Sequence, residues 1–246
     1  MLSVSLAGRD LLRVSDLVPA EAEAILDLAV ELRENPKQPL LSGATLGLYF
    51  AKHSTRTRVS FSAGIAQLGG VAIPLTPEEL QISRGESLPD TARALSRYLD
   101  ALAVRTHAHA ELEAWADCAS IPVINALTAD EHPCQALADA LTIRDRLGLL
   151  EGVRVAWVGD GSNVLVSLAA LGTLLGYDVV AASPAGYEAP GVETVADPRE
   201  AVAAADVIVT DTWISMGQEN ERERRLHALA PYRLDDALLA LAAPDA

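Results

Sequence analysis

The sequence predicts an α/β protein of two doubly wound domains, each a parallel sheet with helices on both faces. Three features predict it. Short and almost wholly apolar runs, at residues 44–50, 101–104 and 153–158, read as strands buried on both sides. Segments with apolar residues at helical spacing separate them, so strand and helix alternate along the chain, as a parallel sheet requires. The pattern then restarts after the stretch 148–152, which divides the 246 residues into domains 1–147 and 148–246.

Pro19 suits a first helical position. Ala22, Ile25, Leu26, Ala29 and Leu32 share one face of a helix that Asn35-Pro36 ends. The strand at 44–50 leads into a helix opening at Ser54, with Phe61, Ile65 and Leu68 at helical spacing and Gly69-Gly70 as its stop. A short strand at 71–75, a polar surface loop at 77–87 and a helix at 90–99 follow. Strand 101–104 ends on Arg105, and helix 109–119, strand 123–126 and a long helix at 133–147 complete the first half. The second half has strand 153–158, a turn at 159–163, helix 164–175, strand 178–182 and a loop at 183–194. A short helix near 198–204, strand 206–210 and helical segments near 219–229 and 235–243 close it.

A formal net charge of −15 argues against a nucleic-acid partner, which needs a broad basic surface. A few arginines in a cleft can still hold a small anion against that distant field. Two cysteines, Cys118 and Cys134, do not suggest a disulfide framework and point to a reducing cytoplasm. Arg9 and Asp10 interrupt any signal-like start, and no apolar run is long enough to span a membrane. The expectation is a soluble cytoplasmic protein with no membrane partner.

Chemistry concentrates at strand ends, where ligands bind in open parallel sheets. Ser54-Thr55-Arg56-Thr57-Arg58 sits on the first turn of a helix, where free N–H groups and the helix dipole favour an anion. Hydroxyl donors and forked guanidinium groups add to this, and the set suits a phosphate. Read alone, the same residues also suit a helix cap and a solvated basic face. His132-Pro133-Cys134-Gln135 places a histidine at a helix cap and an amide one turn on, whether as site groups or as a satisfied cap. Cys134 and His132, two apart on a helix, do not face each other as a nucleophile pair would. Gly159-Asp160-Gly161 follows a strand, but Val164 replaces the third glycine of a dinucleotide fingerprint and no acid follows the next strand.

The stretch Phe50-Ala51-Lys52-His53-Ser54-Thr55-Arg56-Thr57-Arg58-Val59-Ser60-Phe61, with Gln67-Leu68-Gly69-Gly70, resembles the carbamoyl-phosphate motif of the aspartate and ornithine carbamoyltransferases. Gln81-Ile82-Ser83-Arg84-Gly85-Glu86-Ser87 resembles the loop that follows it in that family, and His132-Pro133-Cys134-Gln135-Ala136-Leu137-Ala138-Asp139 its second signature. Asp160-Gly161-Ser162-Asn163-Val164 and Asp211-Thr212-Trp213-Ile214-Ser215-Met216-Gly217 are similar to the ornithine branch. Ala51 and His53 stand where Glu and Pro are usual.

The resemblance implies carbamoyl transfer from carbamoyl phosphate to the side-chain amine of ornithine, giving citrulline. It implies that Ser54, Thr55, Arg56, Thr57 and Arg105 hold the phosphate, that His132 and Gln135 bind the carbamoyl group, and that Gln81 contributes. Arg56, Arg105 and His132 would stabilise charge growing on the oxygens. Asn163, Asp211, Ser215 and Met216 would hold ornithine. No metal or organic cofactor is implied. A homotrimer, or a multiple of it, is implied, with the 77–87 loop reaching a neighbour's site. The family continues past the position of Ala246 into a strand carrying His-Cys-Leu-Pro and a later arginine, so the second domain is expected to be truncated.

Overall fold

Why the strands are buried on both faces is clearest at β1 (Thr45–Phe50). Side chains alternate across a strand. Leu46, Leu48 and Phe50 therefore meet Ile65 of α2 (Arg56–Gln67), while Tyr49 turns to the opposite face and packs in one cluster with Leu112 and Trp115. The Tyr49 and Trp115 rings lie 4.9 Å apart, tilted by 49°, a favourable aromatic arrangement. The computed structural model describes residues 5–214 and 219–246, which pack as two compact units, Met1–Cys134 and Gln135–Ala246.

In the first unit α1 (Pro19–Glu34) precedes β1, and β2 (Val71–Leu75) follows α2. α3 (Leu88–Leu95), β3 (Ala101–Arg105), α4 (His109–Cys118) and β4 (Val123–Leu127) complete it. The sheet order is β2-β1-β3-β4 and every pair is parallel. α5 (Pro133–Leu147) begins at the division and runs into the second unit. There β5 (Arg154–Val158), α6 (Asn163–Leu175), β6 (Asp178–Ala182), β7 (Thr194–Val195), α7 (Pro198–Val202) and β8 (Val207–Val209) follow. Their sheet is again all parallel, in the order β7-β6-β5-β8. Ala156 and Val158 pack with Ala201, Val202 and Leu238, the last from α9 (Asp236–Leu239), while α6 lies against β6. α8 (Arg222–Leu229) stands between β8 and α9 in the chain.

The departures from expectation are local. The 183–194 loop ends in β7, whose two residues pair with Ala181 and Ala182; a strand that short leaves no periodic signal. The 77–87 loop holds a 3-10 turn at Gln81–Arg84. α3 starts at Leu88 because Ser87 caps it, accepting from the Asp90 N–H at 3.2 Å, and it stops at Leu95 rather than Leu99. α9 covers four residues of the span expected at 235–243. Leu11, expected to be outside any element, bridges Ile124 beside β4.

Candidate active site

β1 ends at Phe50, and six residues later the chain enters the first turn of α2. Thr55 occupies the N-cap and Arg56 is the first helical residue. Ser54 Oγ accepts from the Thr57 N–H at 3.3 Å, which leaves its own O–H and the other end N–H groups of the helix for a ligand. The neighbouring strand supplies the counterpart. Register pairs Phe50 with Arg105, the Ala51 N–H donates to the Arg105 carbonyl at 2.9 Å, and Arg105 Nη1 donates to Thr57 Oγ1 at 3.4 Å. Arg105 is only 8% exposed, and its Nε has no hydrogen-bond partner among the described residues.

Burial first, then the charge of Arg56, pulls the Arg105 pKa below the ordinary guanidinium range. Lys52 is lowered too, by burial and then by Arg105. No carboxylate among the described residues pairs with any of these three cations. Clustered, partly desolvated positive charge without a counter-ion is what an anion would complete. Lys52 carries no site signal in the sequence. A lone lysine at a strand end reads as solvated, and only its burial beside Arg105 gives it away.

His132 is the last residue before α5 and 8% exposed. Burial, then the charge of Arg105, pushes its pKa down to about 4, so at neutral pH it offers a neutral imidazole. Its loop starts at Leu127, which pairs with Arg105 across β3 and β4 and has φ +155°. That conformation costs a leucine about 1–3 kcal/mol and persists where surrounding structure enforces it. Cys134 Sγ donates to the Asn125 carbonyl at 3.5 Å, and burial pushes the thiol up to about 11. It stays protonated and is no nucleophile.

Bonds and fields thus gather Ser54, Arg56, Thr57, Arg105 and His132. Thr55 is exposed at the helix cap. Gln81 is exposed on its 3-10 turn, and no hydrogen bond among the described residues ties its side chain to that group. Gln135 lies on the first turn of α5, exposed, with its amide donating to Asp139 Oδ1 at 2.9 Å.

In the second unit Asn163 is the first residue of α6 and Asp211 is exposed just beyond β8. Burial raises the pKa of Asp139, and the Asp211 charge raises it further against the Gln135 bond. Asp160 is likewise raised, mainly by burial, and Arg225 opposes this. Asp139 and Asp211 together favour a cation, while Asp160 already has one in Arg225. Arg225, 5% exposed, pairs with Asp160, donates through Nε to the Trp213 carbonyl at 2.7 Å and lies 5.1 Å from the Tyr187 ring centre. It was missed in the sequence because Glu221, Arg222, Glu223, Arg224 and Arg225 read as a solvated charge run. Ser215 and Met216 lie outside the described residues.

Gly161 has a packing reason. A Cβ there would fall 2.3 Å from the Ala189 N and 2.5 Å from the Tyr187 carbonyl oxygen, to which the Gly161 N–H donates at 2.7 Å. The 187–189 segment therefore occupies the space. Among the described residues no three His, Cys, Asp or Glu side chains gather as metal ligands would, and no helix is long and apolar enough to cross a membrane.

Residues 9–145 match the family model described as aspartate/ornithine carbamoyltransferase, carbamoyl-P binding domain, and residues 151–246 match its Asp/Orn binding domain. The ornithine carbamoyltransferase of Bacillus subtilis is 49% identical over 98% of this chain and 81% of its own length. That of Carboxydothermus hydrogenoformans is 46% identical over 98% and 84%. The structure of ornithine carbamoyltransferase from Pyrococcus furiosus superposes with a TM-score of 0.93 at 45% identity, covering 98% of this chain and 84% of that one. With both domain models matched in order along nearly its whole length, the chain belongs to the aspartate/ornithine carbamoyltransferase family.

Proposed function

We propose that the protein transfers the carbamoyl group of carbamoyl phosphate to the side-chain amine of L-ornithine, giving L-citrulline and phosphate in arginine metabolism. The observation that carries this is the unneutralised cation cluster at the start of α2, with buried Arg105 bonded to Thr57 and a neutral His132 in its field. Ser54, Thr55, Arg56 and Thr57 hold the phosphate, and Arg105 bridges phosphate and carbonyl oxygen. His132 and Gln135 bind the carbamoyl group, with Gln81 contributing. Asn163, Asp211, Ser215 and Met216 hold ornithine, Asp211 taking its amino group and Asn163 its amino-acid end. Residues 1–147 serve carbamoyl phosphate and residues 148–246 serve ornithine.

The neutral amine of ornithine attacks the carbamoyl carbon. A C–N bond forms and a tetrahedral oxyanion develops. The C–O bond to phosphate then breaks, and the proton shed by nitrogen leaves with phosphate or to water. Arg56, Arg105 and His132 stabilise the growing charge, which is electrostatic preorganisation, and holding two substrates together lowers the entropy cost. This route uses no metal or organic cofactor.

The working form is a homotrimer, or a multiple of it, with the 77–87 loop reaching a neighbour's site. What supports self-association is edge strand β2 of the first unit, where Ala72 faces α2 and Val71 (59% exposed) and Ile73 (40%) leave apolar side chains uncovered on the other face. Exposed edges of this kind are ordinarily covered. Cys118 and Cys134 are unpaired, which suits the cytoplasm as its location. The test is citrulline formation from the two substrates, with acetylornithine, putrescine and aspartate as competing acceptors. Citrulline from ornithine alone supports the reading. No product at high enzyme concentration, with phosphate still bound, contradicts it. Sedimentation showing only monomer contradicts the trimer.

A further inference from the structure

Behind His132 lies a group of buried polar side chains that the proposed transfer does not use. His109, the first residue of α4, is 4% exposed, and Asn125 and Thr128 are fully buried. His109 Nδ1 stands 2.9 Å from Thr128 Oγ1. That same oxygen accepts from the Glu131 N–H at 3.2 Å and lies 3.3 Å from the Glu131 carbonyl oxygen. The Thr128 N–H donates to this carbonyl at 3.0 Å. Thr128 therefore grips both backbone groups of the residue immediately before His132.

The rest of the loop is held from the other side. Asn125 Oδ1 accepts from the Leu127 N–H at 2.9 Å, and Asn125 Nδ2 donates to the Leu12 carbonyl at 2.8 Å. Glu131 Oε2 accepts from the Val14 N–H at 2.9 Å, and Arg13 stands 3.8 Å from the same carboxylate. Two proton arrangements satisfy the Thr128 hydroxyl. Either it donates to the Glu131 carbonyl and receives Nδ1–H from His109, or it donates to Nδ1 and the imidazole proton sits on Nε2, 3.7 Å from Glu113. Both need a polar atom at the place of Nδ1. Burial and Arg13 keep the His109 pKa below its ordinary value against Glu113, Asp130 and Glu131, so the ring is neutral. A buried neutral imidazole facing a single hydroxyl is costly unless that bond is used.

We infer that His109 is a positioning residue for carbamoyl transfer: through the Thr128 hydroxyl it fixes the Glu131 backbone, and so the direction in which His132 presents its imidazole. This rests on the reading of His132 as a carbamoyl-binding group. The strained Leu127 at the start of the loop is consistent with a segment whose course is imposed by its surroundings.

The test uses His109→Leu and His109→Asn, with Thr128→Val and Thr128→Ser, in the full chain. Asparagine keeps a polar atom at the place of Nδ1, and serine keeps the hydroxyl. H109L and T128V should lower kcat for citrulline formation on the order of 100-fold, the scale of an ångström-sized misplacement. They should also raise KM for carbamoyl phosphate and leave the affinity for inorganic phosphate unchanged. H109N and T128S should recover most of the loss. Ring signals of His132, assigned by their disappearance in H132N among the five histidines, should shift in H109L and T128V and return in H109N and T128S. This readout needs no turnover, so a chain that forms no citrulline sinks the proposed function while the positioning is still tested. Where H109L does not fold, T128V carries the same expectation at unchanged shape. Wild-type kcat with an unmoved His132 signal overturns the inference. So does a loss that follows melting temperature equally in H109L and H109N with that signal unmoved.

Discussion

The two units solve binding in different ways. The proposed phosphate site of the first unit is built from residues adjacent in sequence, Ser54 to Thr57, on a helix end whose N–H groups already point outward; one buried arginine from the neighbouring strand completes it. The acidic region of the second unit, which holds the proposed ornithine ligand Asp211, is assembled from distant pieces: Asp160 after β5, Asp211 after β8, and Arg225 from α8 pinning Asp160 and the Trp213 carbonyl. Backbone and a strand end position the first. A buried ion pair positions the second. A site made by the backbone should lose function when altered, whereas a site made by a buried pair should lose stability first.

The largest expected effect is on the first unit's chemistry. Arg105→Ala should cut kcat/KM for carbamoyl phosphate about 100- to 1,000-fold, the scale of one lost oxyanion donor, with little change in the denaturation midpoint. A comparable fall in ornithine affinity would erase the contrast between the units. Next, Asp160→Ala leaves the buried Arg225 charge only Glu221, at 3.6 Å, as a partner and should destabilise the second unit by up to about 3–5 kcal/mol, read by chemical denaturation. A variant as stable as wild type would show that the pair contributes nothing there.

A pH effect follows from His132. Its folded pKa, about 4, lies below its ordinary value of 6.5, so between these values the unfolded chain binds more protons. Stability is fully present above about pH 6.5 and falls by on the order of 3 kcal/mol as pH drops to about 4. H132N should flatten that slope, and an unchanged slope would place the titration elsewhere. The smallest effect is Gly161→Ala, which forces a Cβ against the Ala189 N at 2.3 Å. It should cost about 1–3 kcal/mol as overpacking and leave phosphate binding intact. Loss of phosphate binding instead would mean that the units do not fail separately.

The same contrast explains what the sequence made legible. The strand-helix alternation and the course of the longer strands were readable because buried parallel strands are continuous apolar runs. The proposed phosphate cradle was open to expectation because all its members but Arg105 and His132 are neighbours in the chain. Lys52, His109, Asn125 and Arg225 were not. Each takes its meaning from burial beside a residue far along the chain, and in sequence each reads as a lone polar group. β7 escaped because two residues carry no period, and α9 was expected longer because its apolar spacing continues after its hydrogen bonding stops.

The central claim is that residues 54–57 with Arg105 and His132 hold carbamoyl phosphate for transfer to ornithine. Its most direct test is steady-state citrulline formation by wild type and Arg56→Ala, varying each substrate in turn. Wild type should form citrulline, and R56A should show a large rise in KM for carbamoyl phosphate with KM for ornithine nearly unchanged. An equal rise for both substrates, or no citrulline from the wild type while phosphate still binds, would contradict it.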